Sequence, residues 1–121
     1  MIKLSFCLRR LPKLSLAEFQ RYWFDHHAPL VAKHSRVLKI RRYVQLHTLD
    51  DPLNQAIRGS RNAPEMYDGV AELWFDSLDD LRAPQTQERL AAGQELLEDE
   101  RKFIDLSHSP LFFGSERVVI G

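Results

Sequence analysis

From Ile2 to Arg9 the chain alternates Ile2, Leu4, Phe6 and Leu8 with Lys3, Ser5, Cys7 and Arg9, and a period of two predicts a strand buried on one face. Pro12 ends it. Ser15 and Glu18 stand three apart, the spacing of a capping box, so a helix is expected from Leu16. Along that helix Phe19, Tyr22, Trp23 and His26 recur at spacings of three and four, an apolar stripe that must face a sheet. Pro29 cannot donate to the carbonyl of Asp25, which predicts irregular backbone around His26 and His27. Lys39 to His47 alternates again and reads as a second strand. Thr48 to Met66 reads as a long excursion in which Asp51 caps a short helix ending before Gly59. Val70 to Phe75 is an apolar run with one charge, Glu72, fitting a third strand buried on two sides. Ser77 and Asp80 open a second long helix, interrupted at Pro84 and resuming through Leu90, Leu97 and Phe103 to about Ile104. A last strand is expected over Phe112 to Ile120.

Strand, helix, strand, strand, helix, strand is the order of an α+β, ferredoxin-like βαββαβ sandwich: a four-stranded antiparallel sheet with helices on one side. The other sheet face would stay open, which is unfavourable if it carries Trp74, Tyr43 or Phe113. Two sheets packed face to face in a dimer would cover it.

At 121 residues, 44% hydrophobic and 28% charged, the chain fits one folded domain over residues 1–121. Seventeen basic residues balance seventeen acidic ones, so no net field gathers nucleic acid or anionic lipid, and neither is an expected partner. Neutrality weakly favours self-association. A single cysteine, Cys7, together with a start lacking a cleavable apolar leader, reads as a reduced, cytoplasmic protein, and no run is long enough to span a membrane.

Three stretches, FQRYWFDHHAPLV, YDGVAELWFDSLDDL and DERKFIDLSHSPLFFGSE, resemble the EthD family of small dimeric α/β-barrel proteins in order and spacing. The resemblance implies a homodimer whose sheets pair into a barrel, with a ligand pocket in each subunit between helices and sheet. Relatives in this superfamily include cofactor-free oxygenases, cyclases, dehydratases and lactone isomerases, so the likeness names a pocket rather than a reaction. It places the histidine preceding Ala-Pro-Leu on His27 and the aromatic helix positions on Tyr22 and Trp23. Helical phase points instead to His26, near the middle of the Phe19, Trp23 and Leu30 stripe.

A proton-transfer site needs a group titrating near neutral pH, a polar partner and a dry wall. His27, His26 and Tyr43 are the candidate catalytic groups; Tyr22, Trp23, Trp74, Asp68 and His108 are candidates for substrate contact. Tyr43 is expected on the dimer seam or in the pocket, His108 in a solvated loop, and Glu72 in a pair with Arg42. Cys7 reads as a small buried hydrophobe. Adjacent His26 and His27, with His34 a further seven residues on, do not match the three-or-four spacing of a helical metal site, so no metal is expected. No phosphate loop or dinucleotide fingerprint occurs, so no cofactor is expected. Some dimeric barrels hold haem by one histidine, but no Cys-x-x-Cys-His attachment is present. The expected function is an enzyme of catabolic or polyketide-type metabolism that acts by histidine acid/base chemistry on a small, largely apolar metabolite. The alternative is a noncatalytic ligand-binding or accessory protein supporting a partner oxygenase, as in ether degradation.

Overall fold

The computed structural model describes residues 1–121. Its sheet has four antiparallel strands, β1 (Ile2–Leu8), β2 (Arg42–His47), β3 (Gly69–Phe75) and β4 (Leu111–Gly114), in the order β2-β3-β1-β4. This is the ferredoxin-like arrangement, in which the two halves interleave so that β1 and β3 lie at the centre. Register fixes the faces: Leu4 pairs with Leu73 and Phe113, and Phe6 with Ala71 and Leu111. These residues point to the helices. Lys3, Ser5, Cys7, Glu72, Trp74, Arg42 and Phe112 therefore point to the other side, by the pleat's period of two.

The first helical segment begins with the expected box: Ser15 Oγ accepts from the Glu18 amide and Glu18 Oε1 accepts from the Ser15 amide. It runs as α1 (Leu16–Tyr22), a π-helical turn (Trp23–His27) and α2 (Ala28–His34). In the π turn the Ala28 amide reaches back five residues to the Trp23 carbonyl. The irregularity expected ahead of Pro29 thus takes a definite form, one residue squeezed into the helix. α3 (Pro52–Ser60), capped by Asp51, lies in the excursion between β2 and β3 and buries none of its residues. α4 (Leu78–Arg82) and α5 (Gln87–Glu100) are separated at Pro84, with Ser77 and Thr86 as their caps.

Phe6, Leu8, Phe19, Trp23, Ala71, Phe103 and Ile104 form the core between helices and sheet. Gly69 is required there, because a Cβ would fall 2.5 Å from Trp23 Cζ3 and 2.8 Å from the Leu46 carbonyl. No helix is long and apolar enough to cross a membrane.

Several expectations need correction. The last strand stops at Gly114 rather than Ile120, and Val118, Val119 and Ile120 are exposed. β2 starts at Arg42, three residues later than its alternation suggested. α5 ends at Glu100, short of Ile104, and turns Leu90 to solvent while burying its neighbour Arg89. Tyr43 and Phe113 lie on the helix-covered face, so of the three aromatics only Trp74 faces the open side. β3 is not buried on two sides: Glu72 and Val70 on its open side are partly exposed. Cys7 shares that open side and is only partly buried.

Candidate functional site

Between the helices and the sheet lies a cavity of about 280 Å³. Its walls are largely apolar, with Leu4, Phe6, Ala71 and Leu73 on the sheet side and Trp23, Val31 and Leu96 on the helix side. Polar groups enter at four places: His27, Tyr43, Glu100 and Arg89.

His27 is 5% exposed. Its Nδ1 lies 2.8 Å from Asp99 Oδ2, and Tyr22 Oη donates to Asp99 Oδ1 at 2.6 Å. A carboxylate facing Nδ1 fixes the neutral ring as the Nδ1–H tautomer and leaves the Nε2 lone pair free. No protein group bonds Nε2. Burial holds the imidazole below its ordinary value, against the opposing pull of Asp99. Asp99 shows the reverse balance: burial would raise it, but the hydrogen bonds from Tyr22 and His27, with Lys102 3.8 Å away, keep it below the usual carboxylate range. Burial, with the Asp99 bond, pushes Tyr22 up to about 12. At neutral pH the cluster is a neutral imidazole backed by an ionised carboxylate and a protonated phenol.

Glu100, the next residue, has the opposite environment. It finds no cation, and burial together with the neighbouring Asp99 charge lifts it to about 7. Two adjacent carboxyls on α5 therefore hold different protonation states, the pattern that separates an acid from a base.

The π turn explains why His27, not His26, enters. Regular phase carried from Phe19 and Trp23 centres the stripe on His26; the extra residue advances the helix so that His27 takes the inward place. His26 is exposed and stacks on Tyr22, ring centres 5.0 Å apart. The Trp23 carbonyl also accepts from Gln45 Nε2 at 3.0 Å, and that same nitrogen lies 2.8 Å from Tyr43 Oη, tying β2 to the turn.

The other sequence candidates separate. Trp23 lines the cavity and is fully buried; Tyr22 stands behind it, as support for Asp99. Tyr43 lines the cavity rather than a seam. Trp74 lies across the sheet, between Lys3 and Arg42, because its register position carries the opposite pleat. Asp68 is engaged by Arg10, accepting from its amide at 2.8 Å and pairing with its guanidinium. His108 is exposed and bound to Asp105 at 2.8 Å, away from the cavity. Glu72 pairs with Lys3 at 2.7 Å, not with Arg42, which stands opposite Trp74. No group of three His, Cys, Asp or Glu side chains converges in a way that could hold a metal ion.

Asp99, Glu100 and Arg89 were not anticipated. The signal was present in the stripe: stepping back from Phe103 by three and four reaches Asp99, Leu96, Ala92 and Arg89, all on one helical face.

An EthD domain model matches residues 11–107. The chain belongs to the EthD family. Among solved structures it is similar to an ethyl tert-butyl ether d (EthD) family protein of Bacillus halodurans C-125, with 24% identity, TM-score 0.61, and 97% of this chain and 99% of that one covered. An EthD-like protein of Ralstonia eutropha JMP134 aligns with 18% identity, TM-score 0.59, over 98% and 94% of the two chains. A dimeric, ferredoxin-like protein of unknown function from Bacteroides fragilis NCTC 9343 aligns with 13% identity, TM-score 0.57, over 95% of each. At these identities the structures support the fold alone. No curated protein matches the chain. EthD membership leaves the chemistry of the cavity to be read from its residues.

Proposed function

We propose that this EthD-family protein is an enzyme that moves a proton on a small, largely apolar substrate held in the helix–sheet cavity, with His27 as general base. The observation behind this reading is the His27–Asp99 pair: a buried, neutral imidazole whose Nδ1 side is bonded at 2.8 Å and whose Nε2 has no protein partner, in the wall of an apolar chamber. A substrate C–H or O–H proton passes to Nε2, and the imidazolium formed is stabilised by Asp99. Returning that proton to another substrate atom gives isomerisation. Giving it to a leaving hydroxyl gives dehydration. Glu100, able to hold a proton near neutral pH, and Tyr43, with its hydroxyl on the same chamber, are the second acid groups available.

We further infer that the protein works as a homodimer with its open sheet faces opposed. The support is the exposed apolar surface of Leu46 and Phe112 on that face, and a structural neighbour described as dimeric.

The test uses 5-nitrobenzisoxazole, an apolar aromatic whose ring opens when a base removes one C–H proton. The protein should accelerate the opening, and the midpoint of its pH–rate profile should lie below that of a free histidine, because burial lowers the pKa of His27. His27→Ala should lower the rate by about 10²-fold or more, with sedimentation unchanged. No acceleration, or acceleration that survives His27→Ala, removes His27 from the mechanism and leaves the ligand-binding alternative.

A further inference from the structure

The cavity holds a charge that the proton-transfer chemistry does not use. Arg89 is only 9% exposed, lies in the cavity wall and has no carboxylate within 4.0 Å. Asp80 spends its carboxylate on Lys39 at 3.4 Å and offers Arg89 only its backbone carbonyl, at 3.3 Å from a terminal guanidinium nitrogen. The Nε of Arg89 is the one buried side-chain nitrogen or oxygen in the chain without any partner. A guanidinium carries five donors in a planar fork and cannot shed its charge, so a buried one without a counter-ion is costly to keep.

Placement along α5 adds direction. Arg89 and Glu100 line the same cavity eleven residues apart, three helical turns, so their backbones are roughly 16 Å apart. Between them the helix contributes Leu96, and the facing walls are Val31, Leu38, Phe75 and Leu81. The chamber therefore has a cationic end, an apolar middle and an acid/base end formed by His27, Tyr43 and Glu100.

We propose that Arg89 receives the carboxylate of an amphipathic acid whose apolar body fills the chamber and whose reacting atoms lie against His27. This rests on the proton-transfer reading for the role of the far end and specifies its substrate class: a monoanionic carboxylic acid with an apolar chain or ring system. One guanidinium matches one carboxylate in charge and in bidentate geometry, whereas a phosphate dianion would bring a second, uncompensated charge into an apolar wall. Arg89 is a specificity residue, distant from the bond that changes.

Octanoate and 1-octanol test this directly, since they share one chain and differ in the head group. Calorimetric titration at pH 7.5 should show octanoate binding at least about tenfold more tightly than octanol, the factor a charge-assisted pair supplies. Arg89→Met should erase that preference while leaving octanol affinity within about twofold, and Arg89→Lys, which keeps the charge without the fork, should keep part of it. His27→Asn should keep the preference in full. That last variant separates the two readings: loss of base activity with an intact octanoate preference leaves the anion site standing, and the converse leaves only the base. Equal affinity for the two probes, a preference that survives Arg89→Met, or no binding of either probe overturns the proposal. Circular dichroism of Arg89→Met and Arg89→Lys identifies a folding failure, and then the His27→Asn and wild-type titrations decide alone through the octanoate-to-octanol ratio.

Discussion

The two faces of the sheet use the same strands and treat charge in opposite ways. On the open face Lys3 meets Glu72 at 2.7 Å, Lys3 and Arg42 lie over Trp74 at 4.8 and 4.6 Å, and the indole N–H donates to Glu116 at 2.5 Å. Each charge there has an opposite or aromatic partner. On the covered face the groups are few and poorly compensated: Glu100 has no cation, Arg89 no anion, and His27 is kept neutral by burial. Where water can reach, pairing serves cohesion; where it cannot, unpaired groups survive only if something else gives them a purpose, and a ligand is the simplest.

Truncation should expose the contrast most strongly. Trp23 is fully buried, packing on Phe19 at 5.6 Å between ring centres and closing over Gly69. Trp23→Ala is expected to cost about 3–5 kcal/mol, from lost burial plus the cavity left behind. Phe112, on the open face, is 58% exposed, and Phe112→Ala should cost under about 1 kcal/mol in the separated protomer. Urea unfolding at low protein concentration measures both; equal losses would mean that the open face carries a core of its own.

Charge gives the next largest effect, with a gain in place of a loss. Glu100 has an ordinary value of 4.5 when unfolded and about 7 in the folded chain. Folding therefore favours its protonated form. Below pH 4.5 both states hold the proton and nothing is lost; as pH rises from 4.5 towards 7 the unfolded chain ionises first, and stability falls by up to about 3 kcal/mol above that window. Glu100→Gln should thus stabilise the protein at pH 8 by as much as about 3 kcal/mol and leave it nearly unchanged at pH 4. An equal effect at the two pH values would show that packing, rather than ionisation, distinguishes glutamate from glutamine here.

The division between faces also explains how far the sequence could be read. The phase of β1 was legible, because Ile2, Leu4, Phe6 and Leu8 mark one side, although the strand stops at Leu8 rather than running on towards Pro12, and the Ser15–Glu18 box set the start of α1. Beyond Gly114 the same rule failed. Val118, Val119 and Ile120 have strand propensity but meet no partner strand. For the site, two arguments disagreed: helical phase selected His26, and the Ala-Pro-Leu resemblance selected His27. The π turn resolves them, since phase presumes 3.6 residues per turn and that turn breaks the presumption. Asp99, Glu100 and Arg89 escaped for a different reason. Periodicity treats charge as a mark of solvent, and on α5 it directed attention to exposed Leu90, whereas the inward side of the helix carries Arg89 and Glu100, which line the cavity, and Asp99, which holds His27.

The smallest effect sharpens the comparison most. Lys3 and Glu72 form a close pair on the open face, with side chains 18% and 24% exposed. In a separated protomer such a pair contributes under about 1 kcal/mol and weakens with salt, because water solvates both ends and side-chain entropy offsets the attraction. A double-mutant cycle over Lys3→Met and Glu72→Gln, run at low and high protein concentration, gives the coupling in each state. At low concentration it should be small and salt-sensitive. Opposed sheets would remove water from the pair, so at high concentration the coupling should rise and lose its salt dependence. A coupling that stays small and salt-sensitive at every concentration would mean that this face meets water throughout, and the proposed dimer would have to use another surface.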